Sequence, residues 1–293
     1  MNSNPLYIGT TKLFNDTNTV KGNFVNVATE NFYKISNSNK MRPFFMSIVS
    51  DSNHWMFISS NGGLTAGRKD CDAALFPYYT DDKITESVEI TGSKTLLQIH
   101  KADKSLLWEP FSDKYEGVYV ISRNLYKNKY GNKIIFQEVN YDLGLTFQYE
   151  WNNSNQFGFV KKASLINNTL ETIEVTVLDG IQNILPFGLS AELQNGKSNL
   201  VDAYKKNELE AEIGLGIYAL SAIIVDKSEP SEALKATIAW SIGFEESKKL
   251  ITSKQLNNFR KGEAIQQEID VRAEKGAYFI CSDLKLVADS TKN

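Results

Sequence analysis

A chain of 293 residues with 42% hydrophobic and 23% charged residues has the composition of a folded globular protein, and it is long enough to bury a large core without disulfide staples. Its 32 Lys and Arg against 35 Asp and Glu leave a net charge of −3, which excludes a general attraction to phosphate backbones or anionic bilayers, so neither nucleic acid nor membrane is expected as a partner. The two cysteines, Cys71 and Cys281, are too few for a disulfide framework or a cysteine-rich zinc site, and read as free thiols in a reducing compartment.

From the first residue onward, the pattern is strand after strand. Met1-Asn2-Ser3-Asn4-Pro5 has neither a basic nor an apolar leader region, which predicts no signal peptide and a cytoplasmic protein. Residues 54–58 form the first clear strand, rich in aromatic and β-branched types, followed by an Asn61-Gly62-Gly63 turn. Further strands are predicted at 95–100, 117–122 and 133–139. Residues 145–151 and 173–177 alternate apolar and polar without a break, the period of a strand with one buried face. Turn-forming clusters fall between them, among them residues 129–133, 152–155 and 166–169. Short helices are predicted at 198–212 and 245–259, and two more strands at 234–244 and 277–287. The longest apolar stretch, residues 213–225, is too short to span a bilayer and is broken by Gly214 and Gly216. No strand–helix alternation, linker or internal repeat occurs. The expectation is all-β, one large antiparallel β-sandwich domain over residues 1–293 with a few short helices.

Residues able to do chemistry are sparse. His54 and His100, the only histidines, both lie in predicted strands and read as structural. No cluster has zinc-ligand spacing, no G-x-S-x-G elbow or Walker loop is present, and no metal or cofactor is expected. Residues 214–219 fit G-x-G-x-x-A but lack the buried strand and downstream carboxylate of a dinucleotide site. Asp81-Asp82 and the pair Asp70 and Asp72 are acids of the kind that flank a glycosidic bond, but acids so placed at a strand end more often cap a turn. The densest segment runs from residue 53 to 84. It holds Trp55, Asn61, Arg68, Asp70, Tyr78, Tyr79 and Asp82: aromatic faces that stack on sugar rings beside groups that hydrogen-bond hydroxyls. On composition alone, a strand, a glycine turn and a second strand with core aromatics account for it better.

The order of several motifs adds a resemblance. Asn61-Gly62-Gly63, then Arg68 and Asp70, then Phe76-Pro77-Tyr78-Tyr79-Thr80-Asp81-Asp82 resembles the opening of the cellobiose phosphorylase and cyclic β-1,2-glucan synthase group, glycoside hydrolase family 94. Leu107-Trp108-Glu109-Pro110-Phe111 is similar to that family's Trp-x-Pro segment, and Tyr115-Glu116-Gly117-Val118-Tyr119 to its next strand. The stretch from Lys133 to Asn168 follows the same layout, so the resemblance covers about residues 41 to 290.

The resemblance implies a β-supersandwich like that of galactose mutarotase, standing before an (α/α)6 barrel that carries the catalysis. The chain stops at Asn293, where that barrel would begin, and no catalytic residue is transferred. The implied role is a non-catalytic, carbohydrate-associated N-terminal domain that shapes a sugar site or a dimer contact. Trp55, Asn61, Arg68, Asp70, Tyr78, Tyr79, Asp82 and Trp108 are its candidate residues. Its partners would be an oligosaccharide and either the helical barrel or a second copy. The alternative is a stand-alone aldose 1-epimerase, with His54 or His100 paired to a carboxylate such as Glu138. A hydrolase acting alone through Asp70 and Asp82 ranks last.

Overall fold

A computed structural model describes residues 4–14, 17–80, 82–222, 224, 234–244 and 246–293. Among the described residues, strand accounts for 49% and helix for 12%, which establishes the all-β class; five antiparallel sheets carry the structure there, with only short helices between them. The backbone divides into two compact units, each assembled from separated stretches of sequence.

The first unit comprises Met1–Phe44, Glu109–Glu174 and Lys285–Asn293. A seven-stranded sheet dominates it, built on the consecutive meander Ile121–Asn128, Ile134–Asn140, Leu145–Ser154 and Gly158–Asn167. Period-two patterning explains why these residues pair as they do. Leu145, Phe147, Tyr149 and Trp151 point to one face and are buried. In register beside them, Phe136 stacks on Tyr149 at 4.9 Å between ring centroids. Phe111 inserts its ring among Phe136, Phe147 and Tyr149, edge-on to each. The segment that carries it is fixed from below by charge. Glu138, 1% exposed, accepts from Arg123 Nε and from the Phe111 backbone N–H, both at 2.8 Å. Arg123 also donates to Asp113 at 2.6 Å and to the Ser112 carbonyl at 2.8 Å. Burial works against the Arg123 charge, but Glu138 and Asp113 outweigh it and raise its pKa.

The second unit comprises Phe45–Trp108 and Val175–Leu284 and holds three sheets. Its five-stranded sheet includes Lys104–Trp108, Gly92–Lys101, Ile173–Ile184 and Gly276–Leu286 in neighbouring positions. Leu96, Leu178, Leu250 and Phe279 form an apolar core with Leu256, Phe259 and Ile265 from the short helix Leu256–Arg260 and the segment after it. In the sheet containing Lys205–Glu210 and Leu215–Leu220, Tyr218 donates to the Ala277 carbonyl, while Tyr278 donates to that of Gly214. The glycines of the apparent dinucleotide motif serve this packing: a Cβ on Gly216 would come 2.7 Å from the Tyr218 hydroxyl oxygen.

Several boundaries differ from those the sequence suggests. Residues 198–212 are helical only over Ser198–Tyr204; Lys205–Glu210 is a strand whose odd-numbered residues, Lys205, Asn207 and Leu209, are buried. Within 245–259, Lys248–Thr252 is a strand and helix occupies Leu256–Arg260; Glu245 lies outside the described residues. Gly117 has a positive φ of 80° in a turn, so the strand predicted at 117–122 starts only at Ile121. Only Thr237–Ala239 of residues 234–244 pairs as strand. Among the described residues, no helix is long and apolar enough to cross a membrane.

Candidate functional site

The dense segment folds into a four-stranded antiparallel sheet of the second unit, ordered Phe45–Ile48, His54–Ser59, Leu64–Arg68 and Ala74–Phe76. Its register sorts the side chains. Ile48, Met56, Ile58, Leu64, Ala66 and Phe76 are buried, and their strand neighbours Phe45, Trp55, Phe57 and Gly67 take the other face. On that second face Phe45 is 46% and Phe57 44% exposed. Open aromatic rings also occur elsewhere, at Phe24 and Tyr33 for example, so it is the arrangement around Trp55 that sets this face apart.

Trp55 is the centre of this face. It lies 6.2 Å from Phe57, two residues along the same strand, and 5.6 Å from Tyr78, which meets it edge-on at 86°. Its indole Nε1–H donates to the Asp70 carbonyl at 3.2 Å. Gly67 stands directly across the strand pair. A Cβ there would come 2.5 Å from Trp55 Cζ2, so the indole rests against bare backbone, and only glycine leaves room for it. Glycine seat, indole and flanking rings together make an aromatic strip held by a hydrogen bond at one end.

The strip is supported by capping. The Asp70 carboxylate accepts the Asp72 N–H at 3.1 Å and starts the turn Cys71–Ala73. Asp72 in turn accepts the Ala191 N–H at 2.8 Å, and Ser190 accepts that of Leu193, so both hold the start of the helix Ala191–Gly196. Asn195, in the same helix, donates to the Tyr78 carbonyl at 3.4 Å. Burial, together with nearby Asp202, raises the Tyr79 phenol despite its bond to Gln194.

The sequence-derived candidates thus separate. Trp55, Asp70 and Tyr78 come together. Arg68 sits in an exposed position at the strand end, opposite His54. The His54 ring contacts Ser52 Oγ at 3.1 Å, and burial, assisted by the Arg68 charge, lowers its pKa. Asn61 is a turn residue: it donates to the Thr85 carbonyl at 3.0 Å and accepts the Gly63 N–H at 3.2 Å. Tyr79 is half-buried. Asp82 is exposed at the first position of the helix Asp82–Glu86; Asp81 lies outside the described residues. Trp108 is 2% exposed and packs in the interior. Phe57 and Gly67 complete the strip without having been singled out by sequence. Their signal is positional: Phe57 is two residues from Trp55 on one strand, and Gly67 lies where the hairpin register pairs it with Trp55.

The acid–base pairings offered by sequence are otherwise engaged. Glu138 is committed to Arg123 and Phe111. Both ring nitrogens of His100 meet hydroxyls, Ser105 at 2.9 Å and Thr176 at 2.8 Å. The Asp70 carboxylate caps a turn. Among the described residues, no group of three or more His, Cys, Asp and Glu could hold a metal ion. No protein-family model matches the chain, and no curated protein matches it.

Proposed function

We propose that the chain is a carbohydrate-associated β-domain whose Trp55, Phe57 and Tyr78 strip holds a saccharide, as a non-catalytic part of a glycoside phosphorylase- or hydrolase-like enzyme. The observation that carries this reading is the half-buried Trp55 ring seated on Gly67 beside the open Phe57 ring. A pyranose ring has a flat C–H face that packs on such rings, while its hydroxyls project sideways to polar groups. Arg68 falls in register with His54, on the face of Met56 and Ala66, so it is not among the groups that meet the sugar. The resemblance of the motif order to glycoside hydrolase family 94 points to the same class of ligand. A sugar stacked on an aromatic face needs no general acid.

The test is calorimetry with a panel of gluco-oligosaccharides on the full chain and on Trp55→Ala. The reading expects millimolar or tighter binding, about −4 kcal/mol or better, weakened at least about tenfold by the substitution. Heats absent for every sugar, or unchanged by Trp55→Ala, refute it. Polarimetry on freshly dissolved glucose and galactose tests the epimerase alternative; no acceleration over buffer is expected.

A further inference from the structure

In the five-stranded sheet of the second unit, four neighbouring strands each contribute one polar side chain to a single row. Ser105 is the cross-strand partner of His100, and its Oγ lies 2.9 Å from Nδ1. On the other side of the ring, Nε2 lies 2.8 Å from Thr176 Oγ1. The Thr176 hydroxyl donates to Asp283 Oδ1 at 2.5 Å. These distances fix the proton positions. A threonine hydroxyl has one proton and a carboxylate only accepts. With its proton given to Asp283, Thr176 can only accept from His100, so the neutral ring carries its proton on Nε2. Nδ1 then turns a lone pair toward Ser105, whose O–H donates to it. The polarity runs one way, from Ser105 through His100 and Thr176 to Asp283.

That is the arrangement in which a histidine takes the proton of an attacking hydroxyl while a carboxylate fixes its tautomer, with one threonine hydroxyl interposed here. Ser105 is exposed, so an electrophile can reach Oγ, while His100 and Thr176 are held half-buried on central strands. We propose that Ser105 is a nucleophile activated by His100 and accepts the acyl group of a small activated ester. Oγ bonds to the carbonyl carbon as its proton passes to His100 Nδ1. The bond to the leaving alcohol then breaks, and the alcohol departs with that proton. The products are acyl-Ser105 and a neutral imidazole. Water attacks the acyl-serine by the same proton exchange and releases the acid.

The test treats the full chain with p-nitrophenyl acetate and, separately, with a fluorophosphonate probe, and maps adducts by peptide mass spectrometry. Ser105 should be modified at least about tenfold faster than any other serine, with a burst of one nitrophenolate per chain. Ser105→Ala should remove the burst, and His100→Gln should remove the selectivity. Thr176→Val, which keeps the imidazole but breaks the polarity, should slow labelling about fivefold or more. Asp283→Asn, at the exposed end of the row, gives the same test with the interior intact, and slowing is expected there too. Adducts spread evenly over exposed serines, or Ser105 labelling unchanged in Asp283→Asn, overturn the proposal.

Discussion

Adding one methyl group at Gly67 is the sharpest perturbation of the aromatic strip. A Cβ there would lie 2.5 Å from Trp55 Cζ2 and 2.7 Å from both the Ala73 carbonyl oxygen and Ala74 Cα. Two of these three atoms are backbone and cannot rotate away. Overpacking of this kind costs about 1–3 kcal/mol. If Trp55 swings out, it gives up its hydrogen bond to the Asp70 carbonyl, about 1 kcal/mol. It also gives up its edge contact with Tyr78, about 0.5–1.5 kcal/mol. Gly67→Ala should therefore destabilise the second unit by about 2–4 kcal/mol, read as a lower urea midpoint with unchanged slope. The double variant Trp55→Ala/Gly67→Ala removes one of the three clashes and should show a favourable coupling of about 1 kcal/mol. A Gly67→Ala protein within about 0.5 kcal/mol of the parent, with sugar affinity intact, would refute the seat and the geometry built on it.

Other parts of the structure make their own predictions. Glu138→Ala leaves the Arg123 charge half-abandoned beneath Phe111, and should lower stability by about 3 kcal/mol in denaturant titrations. Burial, assisted by the Arg68 charge, lowers the His54 pKa from its ordinary value, so the unfolded chain binds the extra proton first; its contribution to stability falls as pH drops below about 6.5. With only two histidines, an NMR titration resolves it, and Arg68→Gln should move the His54 midpoint upward without restoring it fully, because burial is the larger cause. Burial pushes the Cys281 thiol up to about 11, so at pH 8 only about one molecule in a thousand is thiolate. Its reaction with a disulfide reagent should be slow in the native protein and should accelerate on unfolding.

The fold class was legible because its cause is local. Period-two runs such as residues 145–151 announce strands with one buried face wherever they fall. Helix ends were less legible because Lys205–Glu210 has only one apolar residue, Leu209, and it is the burial of Lys205 and Asn207 against tertiary partners that makes it a strand. The two units were hidden for a different reason: each is built from separated stretches, so no linker composition marks them. Within the site, sequence placed Trp55, Asp70 and Tyr78 in one segment, and their proximity follows from a short hairpin and turn. It could not separate Trp108, an interior residue, from Trp55, because a stacking indole and a core indole read alike. Nor could it find the row from Ser105 to Asp283, whose members stand up to 183 positions apart and meet only through strand order.

The most direct test of the aromatic strip is the indole N–H region of an NMR spectrum, where the four tryptophans give four signals. During titration with gluco-oligosaccharides to about 10 mM, a range that covers millimolar dissociation constants, the Trp55 signal should move. Those of Trp108 and Trp151, both interior, should stay in place. A Trp55 signal that does not move for any sugar, or one that moves no more than those of Trp108 and Trp151, would contradict the proposed function.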